Sequence, residues 1–232
     1  MGDVGRPAER IGVVVGLPQE AALLRRTLRN AAPAIACAGP GPARAAQGAA
    51  GLIAGGAQKL ISFGFAGGLD PALRPGDIIV GAGVVASDGR MRETDDSLAR
   101  RLCAALDGSA CRWSAGLVAG VDQVVTSAAA KQALASQTRA VLVDMESHAV
   151  AGAGRPFAIL RVVVDPAERT LPSAVLAALS PSGRIMIPAL LGGLLRRPAE
   201  LRDLRALASD NRRARDGLRR AALALGAAFG PV

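Results

Sequence analysis

Apolar and β-branched runs alternate along this chain with stretches whose apolar residues recur at helical spacing. Arg10-Ile11-Gly12-Val13-Val14-Val15-Gly16 is apolar at nearly every position, the pattern of a strand buried on both faces of a parallel sheet. Residues 19–28 then read as a helix, with Pro18 near its first turn, where a missing N–H costs nothing. A weaker strand is predicted over 34–38. Gly39-Pro40-Gly41-Pro42 marks a turn, and 43–55 reads as a helix of small residues. The buried strand predicted over 59–64 runs into a glycine-rich turn, Phe65-Ala66-Gly67-Gly68-Leu69-Asp70-Pro71. Further strands are predicted over 77–80, 116–119, 140–143 and 157–164, and helices over 97–106, 128–136 and 145–152. This alternation predicts an α/β fold with a mostly parallel sheet wrapped by helices. Ligands of such sheets bind at the carboxyl ends of strands, where Gly67, Asp122, Glu146 and Asp165 fall.

Beyond Pro172 the pattern changes. Residues 185–195 are strongly apolar but too short to span a bilayer, which takes about 20 residues. A long helix is predicted over 198–226, with Leu201, Leu204, Leu207, Leu218 and Leu225 at helical spacing. From Arg196 to Arg220 nine arginines face four acids, a net of +5. We read the chain as one domain over 1–232, with a core at 10–170 and a C-terminal extension at 172–232.

Composition sharpens this picture. With 232 residues, 50% hydrophobic and 20% charged, the chain can bury a full core. It has no tyrosine, one tryptophan and four phenylalanines, so that core must be aliphatic and rich in alanine. The net charge of +9 is carried by arginine, Lys59 and Lys131 being the only lysines. Such a balance suits nucleic acid, an anionic membrane surface or a phosphorylated substrate. The shortage of aromatic stacking platforms argues against nucleic acid, and a plain solvated arginine surface accounts for the charge equally well. Three cysteines (Cys37, Cys103, Cys111) without a CxxC pair support neither a disulfide framework nor a zinc site. The polar N-terminus lacks a secretory apolar segment, so a reducing cytoplasm is expected.

Asp144-Met145-Glu146-Ser147 carries the most specific chemistry. It follows the apolar run 140–143 and precedes a second strand that ends in a lone carboxylate, Asp165. A buried acid beside a thioether suits a sugar: the carboxylate accepts hydrogen bonds from two hydroxyls and the methionine covers the ring face. If the strand continues, Asp144 and Glu146 share one face and Met145 takes the other. If a helix starts here, Asp144 is an N-cap and Glu146 turns toward a pocket. A bare helix cap with a first-turn acid is the simpler structural reading. His148, the sole histidine, suits packing or solvation rather than catalysis, since the sequence marks no Ser-His-Asp triad around it and no metal site is indicated. Gly64-Phe65-Ala66-Gly67-Gly68 is not a dinucleotide fingerprint, though it allows a ligand close to the backbone. Arg44, in the first turn after Gly39-Pro40-Gly41-Pro42, offers an anion site or a plain surface arginine.

Taken in order, these pieces resemble the purine nucleoside phosphorylase and nucleosidase superfamily. The series runs from Ile11-Gly12-Val13-Val14-Val15-Gly16-Leu17 with Glu20, through Ala38-Gly39-Pro40-Gly41 and Ser62-Phe63-Gly64-Phe65-Ala66-Gly67-Gly68-Leu69. It continues with Pro75-Gly76-Asp77-Ile78-Ile79-Val80, Asp122, Val143-Asp144-Met145-Glu146-Ser147 and Arg161-Val162-Val163-Val164-Asp165. The resemblance implies a three-layer fold with a mixed sheet. It implies that Glu146 accepts from the ribose hydroxyls, Met145 packs on the sugar, and Asp165 protonates purine N7. It further implies that Val121, Asp122, Val124 and Val125 line the base, with Arg44 and Gly67 as anion-binding candidates. Where phosphorylases hold phosphate with arginine and serine, this chain has Phe65 and Ser62. Where nucleosidases activate water with glutamate, Glu20 is nearest, or the alignment slips onto Ala21. Phosphate or water as nucleophile is thus open. Neither a metal nor an organic cofactor is implied, and phosphate enters as a co-substrate if phosphorolysis holds.

The C-terminal apolar run and basic amphipathic helix resemble those of the hopanoid-associated phosphorylases. That likeness implies a purine nucleoside with a lipid 5′ substituent, adenosylhopane, cleaved to adenine and a ribosyl-hopane product in hopanoid biosynthesis. It also implies a homodimer with peripheral contact to the inner face of the membrane, unless the helix is an ordinary core helix with a solvated arginine face. The alternatives are a methylthioadenosine or S-adenosylhomocysteine nucleosidase and an inactive peripheral or scaffold protein.

Overall fold

The apolar runs become the strands of one curved sheet. The structure, a computed structural model, describes residues 9–29, 32–109, 111–170 and 201–229, with 201–207 described by backbone alone. In chain order the elements are β1 (Ile11–Val15), α1 (Pro18–Leu28), β2 (Ala34–Cys37), α2 (Pro42–Ala54), β3 (Lys59–Gly68), β4 (Ile78–Ala86) and β5 (Met91–Glu93). They continue with α3 (Asp96–Asp107), β6 (Trp113–Gly120), α4 (Ala128–Thr138), β7 (Leu142–Asp144), α5 (Ser147–Ala151), β8 (Phe157–Asp165) and α6 (Leu201–Phe229). The run 185–195 and the first residues of the predicted C-terminal helix lie outside the described residues.

The sheet order is β2-β1-β3-β7-β6-β4-β5, and β8 pairs with both β3 and β4. Strands β3, β7, β6, β4 and β8 therefore close into a ring, from which β1 and β2 extend on one side and β5 on the other. Five pairings are parallel and three antiparallel. The sheet is thus mixed and mostly parallel, as the strand–helix alternation implies.

Two elements differ from expectation. The segment Phe65–Gly68 is the end of β3 rather than a turn, because β3 pairs along this length with β8 and, at Gly67 and Gly68, with β7. Glycines let both neighbours close in: a Cβ on Gly67 would stand 3.1 Å from Val143 Cγ1. The short edge strand β5, three exposed residues, carries no apolar signal from which to predict it.

Helices cover the sheet on both sides. One core cluster joins β1, β3, β4 and β8 to α1, α3 and α6 through Leu24, Phe63, Leu102, Leu160, Leu218 and Leu225. A second joins the opposite faces to α2 and α5 through Ala49, Leu60, Ile159 and Val150. The apolar side of α6 is buried (Ala214, Leu218, Ala221, Ala222, Leu225), while Arg212, Arg213, Arg215, Arg219 and Arg220 are exposed. Its apolar stripe is thus part of the core, with its arginines on the outward side.

Candidate active site

Asp144 and Glu146 from the end of β7, Glu20 from the first turn of α1 and Arg161 from within β8 meet in one buried cluster, and Asp165 at the end of β8 pairs separately with Lys131. Asp144 ends β7, and Glu146 follows two residues later, before α5 begins at Ser147. Asp144 accepts from the Ser147 N–H at 3.0 Å and from the Ser147 hydroxyl, but the N-cap position of α5 is Glu146, so Asp144 reaches the first helical N–H from outside the cap it was expected to form. Glu146 turns the other way, and its Oε1 accepts from the Gly41 N–H at 3.0 Å. The closest approach is at Gly16, where a Cβ would stand 2.8 Å from Glu146 Oε1. Gly41 has φ +104, a left-handed conformation that a side chain would strain. A Cβ there would lie 3.9 Å from Met145 Cε, so Met145 sits beside the same turn.

Arg161, on β8, is fully buried. Its Nε meets Asp144 Oδ2 at 2.6 Å and its Nη2 meets Glu146 Oε2 at 3.3 Å. The same Nη2 donates to Ser62 Oγ at 2.7 Å, and Nη1 donates to the Phe65 carbonyl at 3.3 Å. A guanidinium can satisfy several acceptors in one plane, which lets a single buried cation hold carboxylates from two directions.

Glu20 is also buried, two residues into α1 after Pro18. Its Oε2 accepts from the Leu17 N–H and its Oε1 from the Phe65 N–H, each at 2.8 Å. The first bond is half of a capping box, since Leu17 has no side-chain oxygen to return. Gly64, at φ +147, lets Glu20 pass: a Cβ there would stand 2.5 Å from its Oε1. Burial is the main reason the Glu20 carboxyl is pushed up to about 7, with Arg161 pulling it down and Glu146 adding to the rise. Burial raises Glu146 as well, against the pull of Arg161 and with a further push from Asp144. One cation among three acids leaves negative charge uncompensated, and a retained proton relieves it. The neighbouring Ala21 points into the core instead.

Asp165 ends β8. Its Oδ2 is bonded by the ammonium of Lys131, which is fully buried and also donates to the Pro166 carbonyl at 2.8 Å. Burial raises the Asp165 carboxyl above its ordinary range, with Lys131 and Arg169 opposing and Asp210 assisting. Gly67 adjoins this acid, a Cβ there standing 3.4 Å from Asp165 Oδ1. Through β3, Gly67 is paired with Val143 on one side and Asp165 on the other. The two acid-bearing strands therefore flank one glycine-rich strand end.

The remaining sequence candidates are placed less centrally. Arg44 is exposed and its guanidinium lies over Gly39, where a Cβ would stand 2.7 Å from Nη1. Val121 donates its N–H to the Asp144 carbonyl at 2.9 Å, and Val121 and Val125 pack on the cluster containing Val143 and Leu69. Val124 is exposed. Asp122 is exposed too, and its Oδ1 lies 3.2 Å from His148 Nε2. Sequence reasoning passed over Arg161 and Lys131. A lone arginine inside Val-rich β8 was the available signal for the first, because a charge in a buried run needs partners. Lys131 on its alanine-rich helix gave none. No group of residues able to hold a metal occurs among the described residues.

Two kinds of likeness bear on this arrangement. The family model of the phosphorylase superfamily matches residues 27–178, and the chain belongs to that superfamily of enzymes. No curated protein matches the chain. Among solved structures, futalosine hydrolase of Helicobacter pylori strain 26695 is 22% identical, with 82% of this chain and 98% of that chain covered at a TM-score of 0.67. The 5′-methylthioadenosine/S-adenosylhomocysteine nucleosidase of Neisseria meningitidis, in complex with methylthio-immucillin-A, is 20% identical, with 93% and 98% covered at 0.67. The Helicobacter pylori nucleosidase of the same name is 21% identical, with 82% and 100% covered at 0.67. At these identities the likeness establishes the nucleosidase-type fold.

Proposed function

We propose that the chain hydrolyses the N-glycosidic bond of an adenine nucleoside. The observation that carries this reading is the buried cluster of Glu20, Glu146 and Arg161 within a superfamily fold, with Glu20 poised near neutrality. Glycosidic cleavage builds positive charge on the sugar and negative charge on the base. Glu146, held between Gly41 and Arg161, accepts from the ribose 2′ and 3′ hydroxyls, and Met145 covers the sugar face. Asp165 gives a proton to purine N7 as the base leaves. Glu20 takes a proton from the water that attacks C1′. A carboxyl titrating near 7 is well matched to that base role. Val121, Asp122, Val124 and Val125 line the base in this reading.

Water is favoured over phosphate by the positions that a phosphate needs. Phe65 supplies no cation, and the Ser62 hydroxyl is already bonded to Arg161 and Ser147. Arg161 is itself held by Asp144 and Glu146. Arg44 beside the start of α2, with Gly67, keeps phosphorolysis as the second reading, because a helix N-terminus with a guanidinium attracts anions.

The finer substrate we propose carries an apolar 5′ group, with adenosylhopane as the specific candidate. Its support lies in the sequence: the apolar run 185–195, the basic C-terminal helix and their resemblance to hopanoid-associated phosphorylases. The exposed arginines of α6 suit contact with anionic headgroups at the inner face of a membrane, each worth about 1 kcal/mol near such a surface. No helix among the described residues is long and apolar enough to cross a membrane. A homodimer is the proposed assembly, read by light scattering. A nucleosidase for methylthioadenosine or S-adenosylhomocysteine, the activity for which two of the solved neighbours are named, is the competing substrate assignment.

Adenine release from methylthioadenosine and from a lipid-tailed adenosine, each with and without phosphate, decides among these. Phosphate-independent release with the lipid-tailed compound alone is the expected result. Release from both assigns a broad nucleosidase, and a phosphate requirement assigns a phosphorylase. Silence on every nucleoside defeats the proposal and leaves an inactive scaffold.

A further inference from the structure

Helix α4 buries one side chain completely, and that side chain is Lys131. Taking an ammonium out of water costs several kcal/mol unless its partners are well placed. A leucine would fill the position without that cost, so the charge calls for a reason. Both partners of Lys131 Nζ come from the end of β8: Asp165 Oδ2 and the Pro166 carbonyl. The other oxygen of Asp165, Oδ1, is the nearer of the two to Gly67, 3.4 Å against 3.8 Å from a Cβ placed there. The lysine therefore occupies one carboxyl oxygen and leaves the other at the glycine-rich strand end.

The helix that carries Lys131 is itself fixed to this region. Ser127 caps α4 by accepting from the Ala130 N–H at 3.2 Å. Thr170 Oγ1 accepts from the Ala128 N–H at 3.3 Å, tying the start of α4 to the segment after β8. The Ser127 cap lies within α4, so the Thr170 bond and the Lys131–Asp165 pair are what join this helix to the end of β8.

We infer that Lys131 is the positioning residue for Asp165, holding Oδ2 so that Oδ1 presents its proton to the departing base. This rests on the proposed function. As the C1′–N9 bond breaks, its electron pair passes to the base, and the base gains the proton of the Asp165 carboxyl at N7. Lys131 stays charged throughout and neutralises the carboxylate left behind. The attacking water gives its hydroxyl to C1′ and its proton to Glu20. Solvent then restores the proton of Asp165 and removes that of Glu20.

The test compares Lys131→Met and Lys131→Arg with the wild type. It reads kcat, KM and their pH profiles for adenine release, together with the 13C titration of the Asp165 carboxyl by NMR. Lys131→Met is expected to lower kcat at least tenfold while KM stays within threefold. It also moves the alkaline limb of kcat and the Asp165 titration to higher pH, because the cation opposing the raised carboxyl is gone. Lys131→Arg keeps the charge and is expected to recover part of kcat with the limb near its original position. A lysine serving packing alone moves the melting temperature and leaves the limb and the titration unmoved, and that result overturns the inference. Where Lys131→Met does not fold, Lys131→Gln supplies the same readings. If the wild type releases no base from any nucleoside, the proposed function fails, and the carboxyl titration still decides whether Lys131 governs Asp165.

Discussion

At the scale of single residues, the site is governed by how much charge the interior tolerates. Burial, against the pull of Arg161 and with a further push from Glu146, raises the Glu20 carboxyl from an ordinary 4.5 to about 7. The fold thus favours its protonated form: that contribution to stability is full below pH 4.5 and is lost as pH rises through about 7. The proposed base role needs the ionised form, so kcat/KM of the wild type is expected to climb with pH up to about 7. Glu20→Gln is expected to lower kcat/KM by about 10²- to 10⁴-fold, the usual worth of a general base, and to abolish that limb. A retained limb in this variant assigns the titration to another group. Asp165→Asn removes the transferable proton but keeps an oxygen for Lys131. It is expected to cut turnover by a comparable factor with an unchanged melting temperature. Near-normal rates would remove Asp165 from the mechanism.

The acids themselves were legible in the sequence, because Asp144-Met145-Glu146 and Asp165 stand at strand ends. Their counter-charges were not. Arg161 pairs with residues fifteen to seventeen positions away and with Ser62, ninety-nine positions away, so no local pattern marks it. The choice between Glu20 and Ala21 likewise needed coordinates. Successive residues of a helix point about 100° apart, and only the packing of α1 on the sheet tells which one faces Phe65.

At the scale of elements, the chain reads well wherever pattern and burial agree. Strands β1 and β8 are apolar at nearly every position and buried at nearly every position. Helix α3 shows the three cues expected of a surface helix: a cap at Asp95, an acid in its first turn, and Leu98, Leu102 and Leu106 on one face. Asp95 accepts from the Leu98 N–H at 2.9 Å. Asp95→Ala is expected to cost about 1 kcal/mol, read as a lower midpoint in urea with an unchanged slope. A change within error would mean that another group satisfies the freed N–H. Legibility failed where pairing overrode composition. The glycines of Phe65–Gly68 suggest a turn, yet hydrogen bonds to strands on both sides hold them extended.

At the scale of the whole molecule, closure of the ring creates the site. The ends of β7 and β8 lie on either side of β3, which brings the Asp144–Glu146 segment and Asp165 to a common edge. The C-terminal helix backs this arrangement by packing on α1, α3 and β8. Its contacts are intimate: a Cβ on Gly217 would collide with the Gly76 carbonyl. Leu218 is 1% exposed within that interface. Leu218→Ala is expected to cost about 2–5 kcal/mol, read by thermal or urea unfolding of the full chain. A loss below 1 kcal/mol would mean that α6 docks weakly and that its apolar face is available for other contacts.

Composition and periodicity alone determined an aliphatic α/β chain with a mostly parallel sheet, its strand order of acids and glycines, and a basic C-terminal helix. Those features depend on local spacing and on the one-dimensional balance of apolar and charged residues. Only the tertiary structure decided that the sheet closes on itself, that Arg161 and Lys131 underlie the acids, and that the apolar stripe of α6 belongs to the core. Each of these joins residues far apart in the chain, and the free energy of burying a charge depends on neighbours that the fold alone supplies.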